Sequence, residues 1–347
     1  MKALDLFCGA GGLALGAKLA GVEVVQAVEK DVHAATTYSF NFPDVSMFLG
    51  SVEDYSEINL HVKPDLIFGG PPCQGYSTSN QRTRTKSNPS NWLFKEFIRI
   101  VSLVEPRWVV MENVKGLIET ENKFFIESIA NGFRSIGYDI VFSLLNAVDF
   151  GIPQNRSRLF IVGNRSGQRF EFPVKQIGEH VTVGEAIDDL PELPNGASID
   201  RLPYRHNIPS DYARHLRANM ASCANNFVTR NAGHIIDRYK HVPPGGNWEN
   251  IPSALMQNYK DRSQCHTGIY HRLRNDTPSV VIGNFRKNML IHPIQDRGLS
   301  VREAARIQSF PDWFEFKGSI GFQQQQVGNA VPPLLSKAIF DHIISYS

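Results

Sequence analysis

Residues 3–13, with the sequence ALDLFCGAGGL, decide the fold class of this 347-residue chain. The run from Ala3 to Phe7 is mostly apolar and predicts a short buried strand. The glycines that follow predict a tight turn into a helix that ends near Ala20. A strand that passes through a glycine-rich turn into a helix is typical of open α/β sheets, which bind ligands at the carboxyl ends of their strands.

The same alternation of strand and helix patterns continues to about residue 165. Apolar runs predict further strands at residues 22–28, 65–68, 108–111 and 159–162. Amphipathic patterns predict helices at residues 93–103 and 124–136. We therefore expect an α/β fold with a doubly wound, mostly parallel sheet and helices on both of its faces.

The texture of the chain changes near Gly167, where prolines, glycines and asparagines replace periodic segments. This change predicts a smaller, loop-rich, mixed second domain with short strands, which closes with a strand at residues 277–282. Periodicity returns at Ser300, which forms a capping-box pattern with Glu303, and a last helical pattern covers residues 332–344. We expect a first domain at 1–166, a second at 167–297, and a return to the first at 298–347.

The positive charge of the chain is concentrated in the predicted second domain. The whole chain has 36 Lys and Arg against 34 Asp and Glu, a net charge of +2. Residues 201–292 alone hold 13 Lys and Arg against 5 Asp and Glu, a net charge of +8. Such a segment indicates a polyanionic partner, although a solvated basic face has the same composition.

Several classes of protein do not fit the sequence. The four cysteines form no CxxC pair and the histidines form no HExxH motif, so we predict neither a metal site nor a disulfide framework. There is no long apolar run and no leader of the secretory type, which predicts a cytoplasmic protein without membrane contact.

The glycine turn alone leaves two cofactors open. Gly9, Gly11 and Ala14 match the spacing of the dinucleotide fingerprint, and Glu29 lies where an acid could accept hydrogen bonds from ribose hydroxyls. The pattern therefore fits both NAD and S-adenosylmethionine.

Residues 69–75, GGPPCQG, indicate the chemistry. They follow an apolar strand, so Cys73 lies at the carboxyl edge of the sheet behind two prolines that stiffen the turn. A thiolate that adds to carbon 6 of cytosine makes carbon 5 nucleophilic enough to attack a methyl donor. Cys73 is the predicted nucleophile, whereas Cys8, Cys223 and Cys265 are predicted to be structural.

With these residues the chain resembles the DNA (cytosine-5)-methyltransferases of bacterial restriction-modification systems. The motifs that carry the resemblance occur in the family's order and cover nearly the whole chain: residues 5–16, Pro71-Pro72-Cys73-Gln74, Glu112-Asn113-Val114, Gln154-Asn155-Arg156-Ser157-Arg158, residues 302–306 and residues 326–332. The resemblance implies methyl transfer from S-adenosylmethionine, with S-adenosylhomocysteine as product, to carbon 5 of a cytosine in a specific DNA sequence.

The resemblance also assigns roles to residues. Cys73 would form the covalent adduct, Glu112 would hold the cytosine N3 and exocyclic amine, and Arg158 would reach O2, with Arg156 supporting the loop or a phosphate. The implied cofactor-binding residues are Phe7, Gly9, Gly11, Gly12, Leu13, Glu29, Ser51, Val52, Pro71, Asn329 and Val331. The family usually has Gly-Asp-Ile where this chain has Gly50-Ser51-Val52, so recognition of the adenine is expected to differ.

Double-stranded DNA is the implied partner, with a restriction endonuclease acting on the same site as a second one and a monomer as the expected state. Because a cytosine inside a duplex is unreachable, it must be flipped out, and the polar, basic residues 76–91 are predicted to close over it. The predicted DNA-binding residues are Gln74, Ser77, Arg82, Arg84, Arg230, Arg262, Arg272 and Arg274.

Three alternatives remain at this point. An RNA cytosine-5 methyltransferase would use the same chemistry, although Cys223 lacks the Cys-Phe-Thr context of the tRNA-acting branch. A catalytically silent DNA-binding homologue would not need to keep Cys73, Glu112 and Arg158. A nicotinamide dehydrogenase would explain the glycine turn but neither the Pro-Pro-Cys segment nor the basic second domain.

Overall fold

The computed structural model describes residues 1–72, 88–119, 123–175, 178–205, 209–257, 268–283, 285–287 and 289–346. By its internal contacts the chain divides into two compact units. The first unit comprises Met1–Phe150, Ser157–Gln176 and Val331–Ser347, and the second comprises Gly151–Arg156 and Ile177–Ala330. The predicted domain boundaries divide the chain by function rather than by contacts, and they stay predictions.

A seven-stranded sheet forms the centre of the first unit. Its strands are β1 (Lys2–Leu6), β2 (Glu23–Glu29), β3 (Ser46–Leu49), β4 (Leu66–Gly69), β5 (Trp108–Val114), β6 (Asp139–Asn146) and β7 (Ser157–Asn164). They lie in the order β3-β2-β1-β4-β5-β7-β6. β1 to β5 pair in parallel, and only β7 runs antiparallel to β5 and β6. The predicted doubly wound, mostly parallel sheet is confirmed, and its strand order reverses between β1 and β4.

Helices cover both faces of this sheet. Those of the first unit are α1 (Gly12–Leu19), α2 (Val32–Asn41), α3 (Phe94–Val104), α4 (Gly116–Glu119), α5 (Phe124–Ser135) and α11 (Pro333–Ile344). Short 3₁₀ turns lie at Val52–Asp54, Glu57–Asn59, Pro89–Trp92 and Ala147–Phe150. On one face Ile67 packs in a core with Phe97 and Ile129 of α3 and α5. On the other face the ring of Phe68 lies 5.0 Å from that of Phe340 in α11.

The last helix returns to the first unit, as the sequence predicts. It packs on α1 at a close approach: a Cβ built on Gly16 would lie 2.6 Å from the carbonyl oxygen of Pro333, so only glycine fits there. The hydroxyl of Ser336 donates to the carbonyl oxygen of Gly12 at 3.3 Å. The C-terminal helix thereby supports the start of the helix that follows the glycine turn.

The second unit has little regular structure. Its elements are α6 (Val183–Ile187), β8 (Leu202–Pro203), α7 (Asp211–Arg217), β9 (Ser222–Cys223), α8 (Gly233–Tyr239), α9 (Val301–Ile307) and α10 (Ile320–Asn329), with 3₁₀ turns at Trp248–Asn250 and Ser253–Met256. The loop-rich texture that was predicted from residue 167 onward therefore matches the short elements found here. The predicted capping box is present at α9, where Ser300 and Glu303 bond reciprocally.

Two sequence predictions need correction. The strand predicted at residues 277–282 is wrong: only Ser279 pairs there, in an isolated bridge with Gln154. β6 was missed because it is an edge strand with a half-exposed, weakly alternating pattern. Within the described ranges, no helix has the length and apolar character that crossing a membrane would need.

Candidate active site

The backbone after β1 takes conformations that favour glycine. Phe7, Gly9 and Gly11 have φ values of 57°, 55° and 95°. A Cβ on Gly11 would lie 2.6 Å from the ring of Phe42, so a side chain cannot be placed there without moving that ring. Gly11 caps α1 without any side-chain hydrogen bond to the helix. Leu13 is buried in the first turn, at 6% exposure.

Glu29 ties the end of β2 to this glycine turn. Its Oε2 accepts a hydrogen bond from the backbone N–H of Gly9 at 2.8 Å. Its Oε1 accepts from the N–H groups of Lys30 at 2.9 Å and Asp31 at 2.8 Å. Two carboxylate oxygens offer about four acceptor positions, so three backbone bonds leave room for a further donor.

A buried acid lies beneath the same turn. Asp5 is fully buried on β1, and burial raises the pKa of its carboxyl well above the ordinary value. Tyr38 donates to its Oδ2 at 3.3 Å, but Oδ1 has no hydrogen-bond partner. Burial also raises the pKa of the Cys8 thiol, which fits the structural role predicted for it. The turn therefore combines a close backbone approach with a buried acceptor that has spare capacity.

The other predicted cofactor residues lie along the same edge of the sheet, with one exception. Ser51 and Val52 follow β3, where Ser51 donates to Glu53 at 3.0 Å and Val52 is 3% exposed within the core. Val52 thus has little exposed surface with which to contact a cofactor. Val331 precedes α11 and is buried, whereas the exposed Asn329 ends α10 in the second unit.

The turn that leads to Cys73 starts at a close contact between β4 and β1. A Cβ on Gly69 would lie 1.9 Å from the carbonyl oxygen of Leu6, so glycine is required there. Pro71 is buried and Pro72 is half-buried. Cys73 itself lies outside the described residues. β4 is the neighbour of β1 across the point where the strand order reverses, which is where ligands bind in such sheets.

A carboxylate and a guanidinium meet at the end of the next strand, β5. Glu112 Oε1 lies 2.9 Å from Arg158 Nε, and the side chains are 11% and 12% exposed. β5 pairs with β7 so that Val114 faces Arg158 and Glu112 faces Phe160. Glu112 and Arg158 are therefore diagonal neighbours, offset by two residues on one face of the sheet.

Two residues that the sequence did not assign place this pair beside the Pro-Pro turn. The side-chain amide of Asn113 donates to the carbonyl oxygen of Pro71 at 3.3 Å. A Cβ on Gly70 would lie 3.0 Å from Glu112 Oε2, so a side chain there would press on the carboxylate. The position of Asn113 inside the Glu-Asn-Val motif was the available signal, but its contact with Pro71 joins residues far apart in the chain.

Arg156 has a different environment from Arg158. Arg156 precedes β7, which begins at Ser157, whereas Arg158 lies within that strand. Arg156 is 1% exposed in the second unit and donates to the carbonyl oxygens of Ile282, Gly328 and Ala330 at 2.8–2.9 Å. It supports loops, which is one of its two predicted roles, and its burial excludes a phosphate contact.

The predicted DNA-binding residues differ in accessibility. Gln74, Ser77, Arg82, Arg84 and Arg262 lie outside the described residues. Arg230 is exposed. Arg274 is exposed and paired with Asp276 at 2.7 Å.

The prediction for Arg272 is wrong, because this residue is 4% exposed and its guanidinium is committed to the protein. It donates to the carbonyl oxygens of Tyr239, Val242, His292 and Gln295 and to Asp296. In the part of the chain that the structure describes, no His, Cys, Asp and Glu side chains cluster as a metal site would require.

Known proteins resemble this chain over its whole length. Residues 1–345 match the family model of the C-5 cytosine-specific DNA methylases. The chain is 37% identical over 348 residues to Type II methyltransferase M1.HphI of Haemophilus parahaemolyticus, covering 98% of this chain and 86% of that protein. It is 34% identical over 372 residues to Type II methyltransferase M.DdeI of Desulfomicrobium norvegicum, covering 100% and 89%.

Solved structures share the fold. A prophage-encoded Escherichia coli chain, solved as a candidate DNA modification methyltransferase, superposes with a TM-score of 0.81 at 24% identity, covering 99% of each chain. The Entamoeba histolytica methyltransferase EhMeth superposes with a TM-score of 0.66 at 15% identity, covering 100% of this chain and 98% of that one. Because the family model spans nearly the whole sequence and the curated relatives exceed 30% identity, the chain belongs to the C-5 cytosine-specific DNA methylase family.

Proposed function

We propose that the chain methylates carbon 5 of a cytosine that has been flipped out of duplex DNA, with S-adenosylmethionine as donor and a covalent adduct at Cys73. The observation that carries this proposal is the pair of Glu112 and Arg158, 2.9 Å apart at the carboxyl edge of the sheet. Asn113 links that edge to Pro71, two residues before the proposed nucleophile. The charged pair thus lies beside the proline turn that precedes Cys73 in the sequence, which supports a joint role for the three residues.

Each of these side chains has a task at the base. The Cys73 thiolate forms a bond to carbon 6, which moves an electron pair toward carbon 5 and N3. Glu112 holds N3 and the exocyclic amine and offsets the charge that develops there, while the Arg158 guanidinium holds O2. After carbon 5 has received the methyl group, it loses its proton, the bond to sulfur breaks, and the thiolate is regenerated.

The residues around the glycine turn fit the proposed donor. When bound, S-adenosylmethionine supplies an electrophilic methyl group. Glu29 has acceptor capacity left for ribose hydroxyls, and the unpartnered Oδ1 of Asp5 offers a buried acceptor below the turn. Phe7, Leu13, Ser51 and Val331 complete the proposed cofactor-binding set of the first unit, and the role of Asn329 in the second unit stays a prediction.

The family relation supports a role in restriction-modification. The relatives named above are Type II methyltransferases. We therefore propose a cognate endonuclease for the same DNA site as a partner, a monomer as the working form, and the cytoplasm, where bacterial DNA lies, as the location.

Bisulfite sequencing tests the proposal in cells. Plasmid DNA from cells that express the chain should contain protected cytosines within one short recurring sequence. Plasmid from cells with the Cys73→Ala variant should contain none. Protected cytosines in both samples would remove Cys73 from the mechanism, and unprotected DNA despite folded protein would redirect the search to RNA and then to a silent homologue.

A duplex with 5-fluorocytosine at the identified position tests the covalent step separately. Fluorine cannot leave carbon 5 as the proton does, so the bond to sulfur should persist after methyl transfer. We expect a protein–DNA adduct that survives denaturing electrophoresis and is absent with Cys73→Ala. Methylation of normal DNA without adduct on the fluorinated duplex would contradict a covalent route.

A further inference from the structure

Most arginines of the second unit are already bound to the protein. Within the described residues, eleven of its thirteen arginines contact a carboxylate or donate to backbone carbonyl groups: Arg156, Arg201, Arg205, Arg214, Arg217, Arg238, Arg272, Arg274, Arg297, Arg302 and Arg306. Arg230 and Arg286 are the two exceptions, and both are exposed. Arg230 is among the residues that the sequence predicts to bind DNA, whereas Arg286 is not.

The turn that carries Arg286 is held on both sides. Ile282 donates its N–H to Gln154 Oε1 at 2.8 Å and accepts at its carbonyl from Arg156 at 2.8 Å. Phe285 is 2% exposed and anchors the turn, which closes where Leu290 N–H donates to the Phe285 carbonyl at 3.2 Å. Arg286 therefore directly follows Phe285, a buried residue whose carbonyl is hydrogen-bonded.

Arg230 is held in a comparable way. The side-chain amide of Asn195 and the backbone of Asn231 exchange two hydrogen bonds, at 2.9 and 3.0 Å. Val228 N–H donates to the carbonyl of Ala197 at 3.0 Å. The arginine lies over Gly196, where a Cβ would be only 2.9 Å from it.

Helix α10 joins the two supports. A Cβ on its Gly321 would lie 3.3 Å from Arg286 Nη1, so the guanidinium rests over a position without a side chain. Its Gln324 donates to the hydroxyl of Thr229 at 2.9 Å, one residue before Arg230. Thr229, Arg286 and Gln324 line one cavity of about 20 Å³. Arg286 and Thr229, the chain neighbour of Arg230, thus line the same small cavity, and we name Arg230 together with Arg286 the α10 arginine surface.

We propose that the α10 arginine surface, Arg230 with Arg286, binds backbone phosphates of the DNA duplex. This inference rests on the proposed function and adds residues that position the substrate. Guanidinium groups without internal partners suit phosphate oxygens, which receive half to two-thirds of the hydrogen bonds between proteins and DNA. The cavity that Arg286 lines is the size of one water molecule, so it does not admit a base.

Salt-dependent DNA binding tests this proposal. The full chain, with S-adenosylhomocysteine present, is titrated against the duplex identified by bisulfite sequencing and against a scrambled duplex. The titrations run from about 50 to about 200 mM salt. For Arg230→Ala and for Arg286→Ala we expect equal weakening on both duplexes and a slope of log K against log salt that is shallower by about 1. For the double variant, the slope of log K against log salt should be shallower by about 2.

Two further variants serve as controls. Arg286→Lys keeps the charge and should keep the slope. Lys240→Ala removes an exposed cation of the same unit that is paired with Asp237 at 2.9 Å, and it should leave the slope unchanged. Circular dichroism and melting curves verify that each variant is folded, as expected for changes at exposed positions.

The possible outcomes separate this inference from the proposed function. Unchanged slopes in both alanine variants, with normal binding by the wild type, would overturn the phosphate surface and leave the proposed function intact. Weakening confined to the identified duplex would mean that the arginines contact bases, which also overturns it. A wild-type chain that binds neither duplex would overturn both proposals.

Discussion

Two groups of charged side chains, one in each unit, come from sequence motifs that look equally functional. The first is the pair Glu112 and Arg158 at the edge of the sheet. The second is the group around Arg306 in the second unit, with its partners Asp312 and Asp189. Both combine arginine with carboxylates, but they differ in how far their polar atoms remain accessible to a further hydrogen-bond partner.

The pair at the sheet edge is partly open. Its side chains are 11% and 12% exposed, and Gly70 beside it has no side chain. Arg158 also donates to the carbonyl of Ser157 at 2.8 Å, so its orientation is set before any ligand binds. The charged groups of this pair are therefore held in place while part of their surface stays accessible.

The group around Arg306 is closed. The Arg306 side chain is fully buried and donates to both oxygens of Asp312 at 2.6 Å, to both of Asp189 at 3.1 and 3.3 Å, and to the carbonyl of Ala186 at 2.9 Å. Despite burial, Arg306 and Arg302 hold the pKa of the Asp312 carboxyl below its ordinary value. Burial and hydrogen-bond partners, rather than residue type, therefore distinguish a charged group that can act on a ligand from one that only stabilises the fold.

The largest expected effect is a loss of activity at the partly open pair of Glu112 and Arg158. Glu112→Gln keeps the size of the side chain but removes its acid–base function, so we expect methyl transfer to slow by about 10²–10⁴-fold. The free energy of unfolding should change by no more than about 1–2 kcal/mol. Single-turnover methylation and urea unfolding measure the two quantities. An activity loss explained by unfolding alone would mean that Glu112 is structural, like the group around Arg306.

The next effect belongs to the closed side. Arg306→Met leaves two buried carboxylates without their main cation, so the free energy of unfolding should fall by about 3–5 kcal/mol. The methylation rate per folded molecule should stay near that of the wild type. Arg274→Ala, which removes an exposed arginine paired with Asp276, is the matched control and should not change the urea midpoint measurably. Equal urea midpoints for the two variants would contradict a structural role of the buried group.

A smaller effect is the pH dependence of the second unit. Burial lowers the pKa of His292 from 6.5 to about 4, with Glu303 opposing this effect and Arg297 and Arg272 adding to it. Between pH 6.5 and 4, His292 takes up a proton in the unfolded chain but stays neutral in the folded chain. The free energy of unfolding therefore decreases as the pH falls through this window. A single shift of this size is worth about 3 kcal/mol.

Urea unfolding from pH 7 to pH 4 measures this slope. Asn at position 292 can still accept from the N–H groups of Ile294 and Gln295, which bond His292 Nδ1 at 3.2 and 3.1 Å. The His292→Asn variant should therefore lose the pH-dependent contribution to stability while it keeps the two hydrogen bonds that hold the loop. An unchanged slope in His292→Asn would assign the pH dependence to other groups.

Much of the first unit could be predicted from sequence because its signals are local. The apolar runs that became β1, β2, β4 and β5 are short and continuous, and turn residues flank them. The exposed edge strand β6 has no such run and was missed. The second unit offered few local signals, since side-chain bonds rather than repeating elements hold it together.

The candidate site shows the same division. Glu112 and Arg158 were selected separately from two motifs, and the β-sheet register brings them together. Arg272 was selected because it lies in the basic second domain. Its guanidinium, however, donates to carbonyl groups up to 33 residues away in the chain. Arg286 was missed, because the contacts of the nearby Ile282 with Gln154 and Arg156, which are distant in the chain, have no sequence signature.

The sequence by itself determined the fold class, the order of the motifs and the identity of the proposed nucleophile. These follow from periodicity, from glycine at positive φ and from proline at a turn, which are properties of neighbouring residues. Only the tertiary structure decided which arginines are buried supports and which face solvent. That choice depends on burial and on partners from distant parts of the chain, and a charge in a sequence carries neither.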